Sequence, residues 1–242
     1  RLRNEPLRAL GRYLDRGGRL VALLEPGAET GIEELLGKYG LSSPNSLIID
    51  PTSGDIDQKV VGLNPVAYNY TTHPVTQGLN SNRMTFFSGA RSFVMRKTRP
   101  SDRLTSVVLA SPKSWISEDL ALLRLHSGRP EAGSARTDYY PLVVTGKYER
   151  ESGETRIVAF GDSDFATNRY LRAVYNLDLI LNAVHWVAER EPEITLRPKV
   201  GAPLHFPLPI ADSLRTLYSV GLLVPEILLV AGGLVWLRRR AA

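Results

Sequence analysis

Short apolar runs alternate with amphipathic segments over most of the chain. The spacing of Leu7, Leu10 and Leu14 predicts a helix that ends at Gly17, and the run "RLVALLEP" that follows predicts a strand. "GIEELLGKYG" repeats the helical pattern, and "SLIID" predicts a second strand. The order strand, helix, strand with short connections is typical of a parallel sheet.

The same patterns continue towards the C-terminus. "LTSVVLA" is apolar enough for a central strand, and residues 139–160 predict a hairpin with its turn at Ser152 and Gly153. "NLDLILNAVHWVAE" predicts the clearest helix, with a buried stripe formed by Leu177, Ile180, Leu181, Val184 and Val187. The predicted fold class is α/β, with a Rossmann-like, mostly parallel sheet flanked by helices and one C-terminal transmembrane helix.

The last apolar segment sets the predicted topology. Residues 216–237 provide about the ~20 residues that a bilayer core requires, with Glu226 as the charged residue inside and Arg238–Arg240 directly after it. We therefore expect an extracytoplasmic α/β domain over 1–198, a Pro-rich linker over 199–213, a transmembrane helix over 214–237 and a cytoplasmic basic tail over 238–242. The expected location is the plasma membrane, with the bulk of the domain in the periplasm.

Composition excludes several classes of function. The net charge is +5, but three positive charges belong to the C-terminal arginines, and the other basic residues are interleaved with acids, which argues against a nucleic-acid partner. The absence of cysteine excludes disulfides and thiolate metal sites. No Gly-rich loop ending in Gly-Lys-Ser/Thr is present, so ATP hydrolysis would belong to another chain.

The stretch "IVAFGDSDFAT" carries the strongest candidate chemistry. Asp162, Ser163 and Asp164 follow an apolar run at the end of a predicted strand, where open α/β sheets bind ligands. We consider three roles for these residues: a structural turn, a ligand-binding site, and, as a further alternative, a hydrolase that uses this segment. A Ser-His-Asp arrangement and the later lysine and acidic pair of dehalogenase-type phosphatases are missing, which favours a structural role for the turn. We predict no catalytic residue, cofactor or metal.

A second candidate lies in the predicted membrane helix. Glu226 is costly in a bilayer core, and Gly232 and Gly233 provide a small face that permits close helix packing. We predict that these three residues contact another membrane subunit.

The order of several segments resembles a known family. "YTTHPVT", "LASPKSW", "VAFGDSDFATN", the helix "NLDLILNAVHWVAE", "ITLRPK" and the terminal arginine-ended helix together resemble the auxiliary subunits of uncharacterised ABC-type transport systems, which include gliding-motility-associated proteins. The resemblance covers nearly the whole chain. It depends on the order of the segments, because no single motif is specific.

The resemblance implies a membrane-anchored, non-catalytic accessory subunit whose partners are an ABC ATPase and a permease. It carries over no catalytic residue. Because the chain begins without methionine, at a position that reads as mid-domain, we expect it to be the C-terminal part of a longer protein. A structural module of an envelope or motility complex is a further alternative.

Overall fold

The structure, a computed structural model, describes residues 4–53, 61–124, 133–150, 153–189 and 224–241, together with the single residues 218 and 221. The chain divides into two compact units, over residues 1–202 and 203–242. The first unit contains the sheets and the candidate site.

A five-stranded mixed sheet forms the centre of the first unit. Its strands span Arg19–Leu23 (β1), Asn69–Tyr70 (β5), Arg103–Leu109 (β8), Pro141–Arg150 (β10) and Gly153–Phe160 (β11). Their order in the sheet is β1-β11-β10-β8-β5. Strand β1 pairs in parallel with β11, whereas β10 pairs antiparallel with both β11 and β8, and β8 pairs antiparallel with β5.

Three two-stranded antiparallel ladders surround this sheet. Their strands span Leu41–Ser42 (β2), Leu47–Ile49 (β3), Val66–Ala67 (β4), Thr85–Phe86 (β6), Val94–Met95 (β7) and Trp115–Ser117 (β9). The ladders pair β2 with β7, β3 with β9, and β4 with β6.

Four α-helices complete the described structure: α1 (Asn4–Asp15), α2 (Ile32–Lys38), α3 (Asn176–Val187) and α4 (Val224–Ala241). Short 3-10 turns cover Pro74–Thr76, Leu120–Arg124 and Asp164–Ala166. The sequence "SEDLALLRLHSG" also carries a helical pattern with Ser117 as its N-cap, but in the part of it that the structure describes, residues 117–124, Ser117 belongs to β9 and a 3-10 turn covers Leu120–Arg124.

The alternation of side chains along β11 separates two cores. Val158 and Phe160 pack on one face of the sheet with Leu179 of α3, whereas Ile157 and Ala159 pack on the other face with side chains of α1 and α2. Successive residues of a strand point to opposite faces, so a strand covered on both sides is apolar throughout. This explains the continuous apolar run "IVAF" at the end of the strand.

The prediction of a mostly parallel, Rossmann-like sheet is wrong. Only the β1–β11 pair is parallel among the described strands of the main sheet, and β3 leaves that sheet to pair with β9. Helix α2 therefore does not connect two adjacent parallel strands. The local order strand, helix, strand is present, but the strand next to β1 comes from the other end of the first unit.

The prediction of a transmembrane helix over 214–237 is also wrong, because the helix that the structure describes in this segment does not meet the requirements of a membrane span. Nowhere in the described part of the chain is a helix both long and apolar enough to cross a bilayer. In α4 the uncharged run between Glu226 and Arg238 extends only from Ile227 to Leu237. At the helical rise of ~1.5 Å per residue this run covers about 16 Å, roughly half of the ~30 Å hydrocarbon core.

The predicted buried stripe of α3 is only partly correct. Val187 is buried and Ile180 packs against the core, but Leu177, Leu181 and Val184 are 41%, 40% and 45% exposed. The side that faces the core instead carries Leu179, Asn182 and Ala183. The apolar surface of this helix is wider than the surface that the domain covers.

Some predictions fall outside the described residues. These are the Pro-rich linker over 199–213, the hairpin-turn residue Ser152 and a strand that the apolar residues of 194–196 predict at the end of the domain.

Candidate functional site

The turn after β11 lies beside the end of β1. Because these two strands run parallel, their carboxyl ends meet at the same edge of the sheet. The backbone N–H of Leu24 donates to the carbonyl of Phe160 at 2.9 Å, which continues the pairing beyond the strands. Glu25 is thereby brought next to the Gly161–Asp164 turn.

Asp162 is fully buried, and its carboxylate organises the turn. Oδ1 accepts a hydrogen bond from the backbone N–H of Asp164 at 2.7 Å, and Oδ2 accepts from the N–H groups of Ser88 at 2.7 Å and Phe165 at 3.2 Å. Two of these bonds close the turn on itself, and the third ties it to a segment much earlier in the chain. Such side-chain bonds replace the backbone pairing that ends with the strand.

Gly161 is required by a close approach of two backbones. Its N–H donates to the carbonyl of Leu142 at 2.9 Å, and its carbonyl accepts from the N–H of Arg91 at 2.8 Å. A Cβ atom at this position would collide with the carbonyl oxygen of Arg91. Glycine is thus needed for space, with no requirement for a positive φ.

Ser163 forms a pair with Glu25. The hydroxyl of Ser163 donates to Glu25 Oε2 at 2.7 Å, and the Ser163 N–H donates to the same oxygen at 3.1 Å. Burial raises the pKa of Glu25 and the nearby Asp164 adds to this rise, whereas the hydrogen bonds from Ser163 favour the charged form. Glu25 was not identified from the sequence, because its partner belongs to a segment at the other end of the first unit.

Burial also raises the pKa of Asp162, to about 8. The negative charges of Glu25 and Asp164 add to this effect, and the amide donors of Ser88 and Asp164 oppose it. Three carboxyl groups therefore share one edge of the sheet. Across the described residues, no group of three histidines or acids is arranged to hold a metal ion.

His73 is a scattered histidine without paired carboxylates in the sequence, which favours a structural role, and its contacts agree with that role. Its Nδ1 accepts the N–H of Val75 at 3.2 Å, and its ring lies 5.0 Å from that of Trp186 in an edge-on contact. Burial, with Arg156 as a second cause, lowers the pKa of His73 to about 4, so the ring is neutral at pH 7. His126 lies outside the described residues.

Asn176 is a second residue whose role was missed. Its place at the start of the "NLDLILNAVHWVAE" helix favours a capping role in the sequence, but its side chain is buried and joins three segments. Its Oδ1 accepts from the Phe86 N–H at 2.8 Å, and its Nδ2 donates to the carbonyls of Phe86 at 2.9 Å and Tyr170 at 3.0 Å. The pattern of one segment cannot reveal a partner in a distant strand.

The free energy of unfolding is expected to fall by about 2 kcal/mol between pH 6.5 and pH 8. In this range folded Asp162 loses the proton that its pKa of about 8 retains, whereas unfolded aspartate is already charged above pH 3.8. The unfolded state therefore binds fewer protons, and stability falls as the pH rises. His73 acts with the opposite sign but below pH 6.5, since its stabilising effect is lost as the pH falls towards 4.

Urea unfolding at steps from pH 6.5 to 8 measures this change. Asp162→Asn should be less stable at every pH, because it keeps one acceptor oxygen, but its stability should vary less over this window. A flat wild-type profile would show that the three amide donors keep Asp162 charged throughout.

Glu226, Gly232 and Gly233 lie on α4, in the second compact unit. Glu226 is in the first turn, and Gly233 follows about two turns later on the same side of the helix. No described contact tests the predicted binding of a partner helix, and it stays a prediction.

The fold has a relative among solved structures. The chain is similar to the structure titled "mmIFT52 N-terminal domain", with 14% sequence identity, a TM-score of 0.55, and coverage of 77% of this chain and 72% of that chain. At this identity the likeness shows the fold alone. No curated protein matches the chain.

A match to a protein family assigns the chain more directly than the structural similarity does. Residues 1–183 match the model of the auxiliary family described as "ABC-type uncharacterized transport system". The match includes the whole main sheet, α1, α2 and the Gly161–Asp164 turn, and it confirms the resemblance seen in the order of the sequence segments. The chain therefore belongs to the auxiliary family of ABC-type uncharacterized transport systems.

Proposed function

We propose that the protein is a non-catalytic accessory subunit that acts by binding an ABC ATPase and a permease. The structural role of the Gly161–Asp164 turn is the observation that supports a protein without catalytic activity. Asp162 is fully buried with three backbone partners, and Gly161 accommodates the backbone of Arg91. The residues that are the strongest catalytic candidates in the sequence thus have structural roles.

The exposed side of α3 supports a role in binding. Leu177, Leu181 and Val184 follow one another at spacings of four and three residues, so they form one apolar stripe on the helix surface. Apolar residues clustered on a surface commonly mark a protein interaction site. In a family of transport-system components, a partner subunit is the natural occupant of this stripe.

Affinity purification of the full-length protein from native membranes should recover an ATPase and a permease in constant ratio. The Leu181→Ser/Val184→Ser variant should lose both partners and keep its fold, because both side chains are exposed. Val94→Ser, at an exposed valine on β7, is the matched control and should retain them. Mass spectrometry of the recovered proteins gives the result, and loss of the partners in the control as well would contradict the assignment of α3.

The proposed location is the plasma membrane, in association with the partner subunits and with the first unit on the extracytoplasmic side. The family supports the association with a transport system, and the side of the membrane is a separate prediction. Labelling of exposed lysines in intact cells with a membrane-impermeant reagent tests it. Labelling only after lysis would place the domain in the cytoplasm.

The hydrolase alternative depends on Ser163. Its hydroxyl donates to Glu25 at 2.7 Å, a carboxylate that could act as a base. The serine triad needs an imidazole between serine and carboxylate, and His73 is instead occupied by Val75 and Trp186. Turnover of ester or phosphate substrates by the purified protein, lost in Ser163→Ala, would overturn the non-catalytic proposal and would also weigh against a purely structural module.

A further inference from the structure

A cavity of about 780 Å³ lies between α1 and α2, away from the Gly161–Asp164 turn. Leu7 and Gly11 belong to the α1 wall, and Gly31 and Leu35 to the α2 side. Cβ atoms built on the two glycines would meet the opposite leucines, at 3.5 Å for Gly11 to Leu35 and 2.8 Å for Gly31 to Leu7. The helices therefore approach closely along the inner side of the cavity, and its remaining lining is mostly polar.

The charged side chains around this cavity are predominantly basic. Five cationic side chains line it against two carboxylates, those of Asp15 and Glu34. The carboxylate of Asp15 accepts the hydroxyl of Tyr39 at 2.7 Å. The cations are Arg8 and Arg12 on α1, Lys38 on α2, Arg99 in the turn before β8, and Arg150 at the end of β10.

One wall of the cavity is held in place by Asp102, which is fully buried. Its Oδ2 accepts from the Thr98 hydroxyl at 2.6 Å and from the Arg99 N–H at 2.8 Å, and its Oδ1 accepts from Arg150 at 3.1 Å. Burial opposes the charged form, but these hydrogen bonds keep the pKa of Asp102 below its ordinary value. A single buried anion thus fixes three residues that line the cavity.

The other four cations remain available. Arg8, Arg12, Lys38 and Arg99 are exposed, and none of them forms an ion pair with another residue in the described ranges. Basic residues of the main sheet differ, since Arg19, Lys147 and Arg156 all pair with Glu154. Four cations without an ion pair to another described residue therefore line this one cavity, where they outnumber its two carboxylates.

We propose that the cavity between α1 and α2 binds a small polyanion whose phosphate or carboxylate groups are held by Arg8, Arg12, Lys38 and Arg99. The planar guanidinium group matches both kinds of oxyanion through paired hydrogen bonds. Four cations from three segments suit a ligand with several negative charges, and the cavity volume lies within the ~300–1,000 Å³ of small-molecule sites.

Calorimetric titration of the full chain with tripolyphosphate and with citrate, at fixed salt concentration, tests the proposal. We expect one-to-one binding of at least one probe and at least tenfold weaker binding by Arg8→Gln/Arg12→Gln. Stronger binding of tripolyphosphate identifies a phosphate-bearing ligand, and stronger binding of citrate a carboxylate. Lys38→Gln/Arg99→Gln changes the opposite walls without touching α1 and should weaken binding as well.

The control variant Lys113→Gln/Arg172→Gln removes the same net charge at exposed positions that do not line the cavity. It should bind like the wild type. No binding of either probe by the wild type, or equal weakening by the control and the cavity variants, would overturn the proposal. Recovery of partner subunits does not depend on this site, so the two proposals fail separately.

Discussion

Replacing Arg91 with alanine is expected to lower the free energy of unfolding by about 3–5 kcal/mol, the usual cost of removing one partner from a buried ionic network. The Arg91 side chain is 2% exposed. Its guanidinium donates to the carbonyls of Pro44, Ala28 and Ser43 at 2.9–3.1 Å and to Glu33 Oε1 at 3.1 Å. Alanine would take the guanidinium away from all four acceptors, of which Glu33 keeps the donors of Thr30 and the Pro44 carbonyl keeps the Ser46 hydroxyl, and it would create a cavity the size of the side chain.

Two further variants separate the causes of this loss. Arg91→Lys keeps the charge but cannot reach all the acceptors at once, because the ammonium is a point charge without the planar fork of arginine, so an intermediate loss is expected. Arg96→Ala removes an exposed arginine of the same segment and should change stability by no more than about 0.5 kcal/mol. Urea unfolding at pH 7 measures all three. A loss below about 1 kcal/mol in Arg91→Ala would show that water replaces the guanidinium at these carbonyls.

Arg91 also shows why part of the site could not be predicted. An arginine within "ARSFVMR" resembles many surface arginines, and all four of its acceptors belong to segments much earlier in the chain. Its backbone N–H holds the carbonyl of Gly161, so this residue supports the turn that the sequence did identify. Periodicity reports which face of an element is apolar, but it does not report partners distant in sequence.

Local patterns were reliable for element type. The strand at Arg19–Leu23, the hairpin strands Pro141–Arg150 and Gly153–Phe160, and the helix at Asn176–Val187 were all predicted from period and composition. The prediction of sheet topology was not reliable. An apolar strand buried on both faces has the same sequence pattern whether its neighbour is parallel or antiparallel. The parallel pairing of β1 with β11 depends on contacts between the two ends of the first unit, which no local pattern records.

The apolar surface of α3 and the ends of α4 show a second limit. Leu177, Leu181 and Val184 fit a helical stripe with Ile180 and Val187, yet the sheet covers only part of it. In α4, the apolar residues were predicted to outweigh Glu226 in a membrane span, whereas in the described helix the charged residues directly before and after residues 227–237 limit the uncharged run to this short stretch. In α3 the apolar side chains were predicted correctly, but the sequence did not show how much of their surface the sheet covers.

Replacing Phe165 with alanine is expected to cost about 3–5 kcal/mol of stability, which would show that the turn after β11 anchors the core. Phe165 is fully buried, and its ring stacks on Phe160 at a centroid distance of 4.7 Å and lies 5.5 Å from that of Phe87. Its backbone N–H donates to Asp162 Oδ2 at 3.2 Å, so the carboxylate and the ring fix the same residue. Removing the ring leaves a cavity between β11, α3 and the segment around Phe87.

The control is Leu181→Ala on α3, which removes an apolar side chain that the structure leaves 40% exposed. It should cost less than about 1 kcal/mol, because little packing is lost where solvent already reaches the side chain. Phe165→Leu should recover most of the stability lost in Phe165→Ala, since it refills much of the volume. Equal losses in Phe165→Ala and Leu181→Ala would mean that the turn is not anchored in the core.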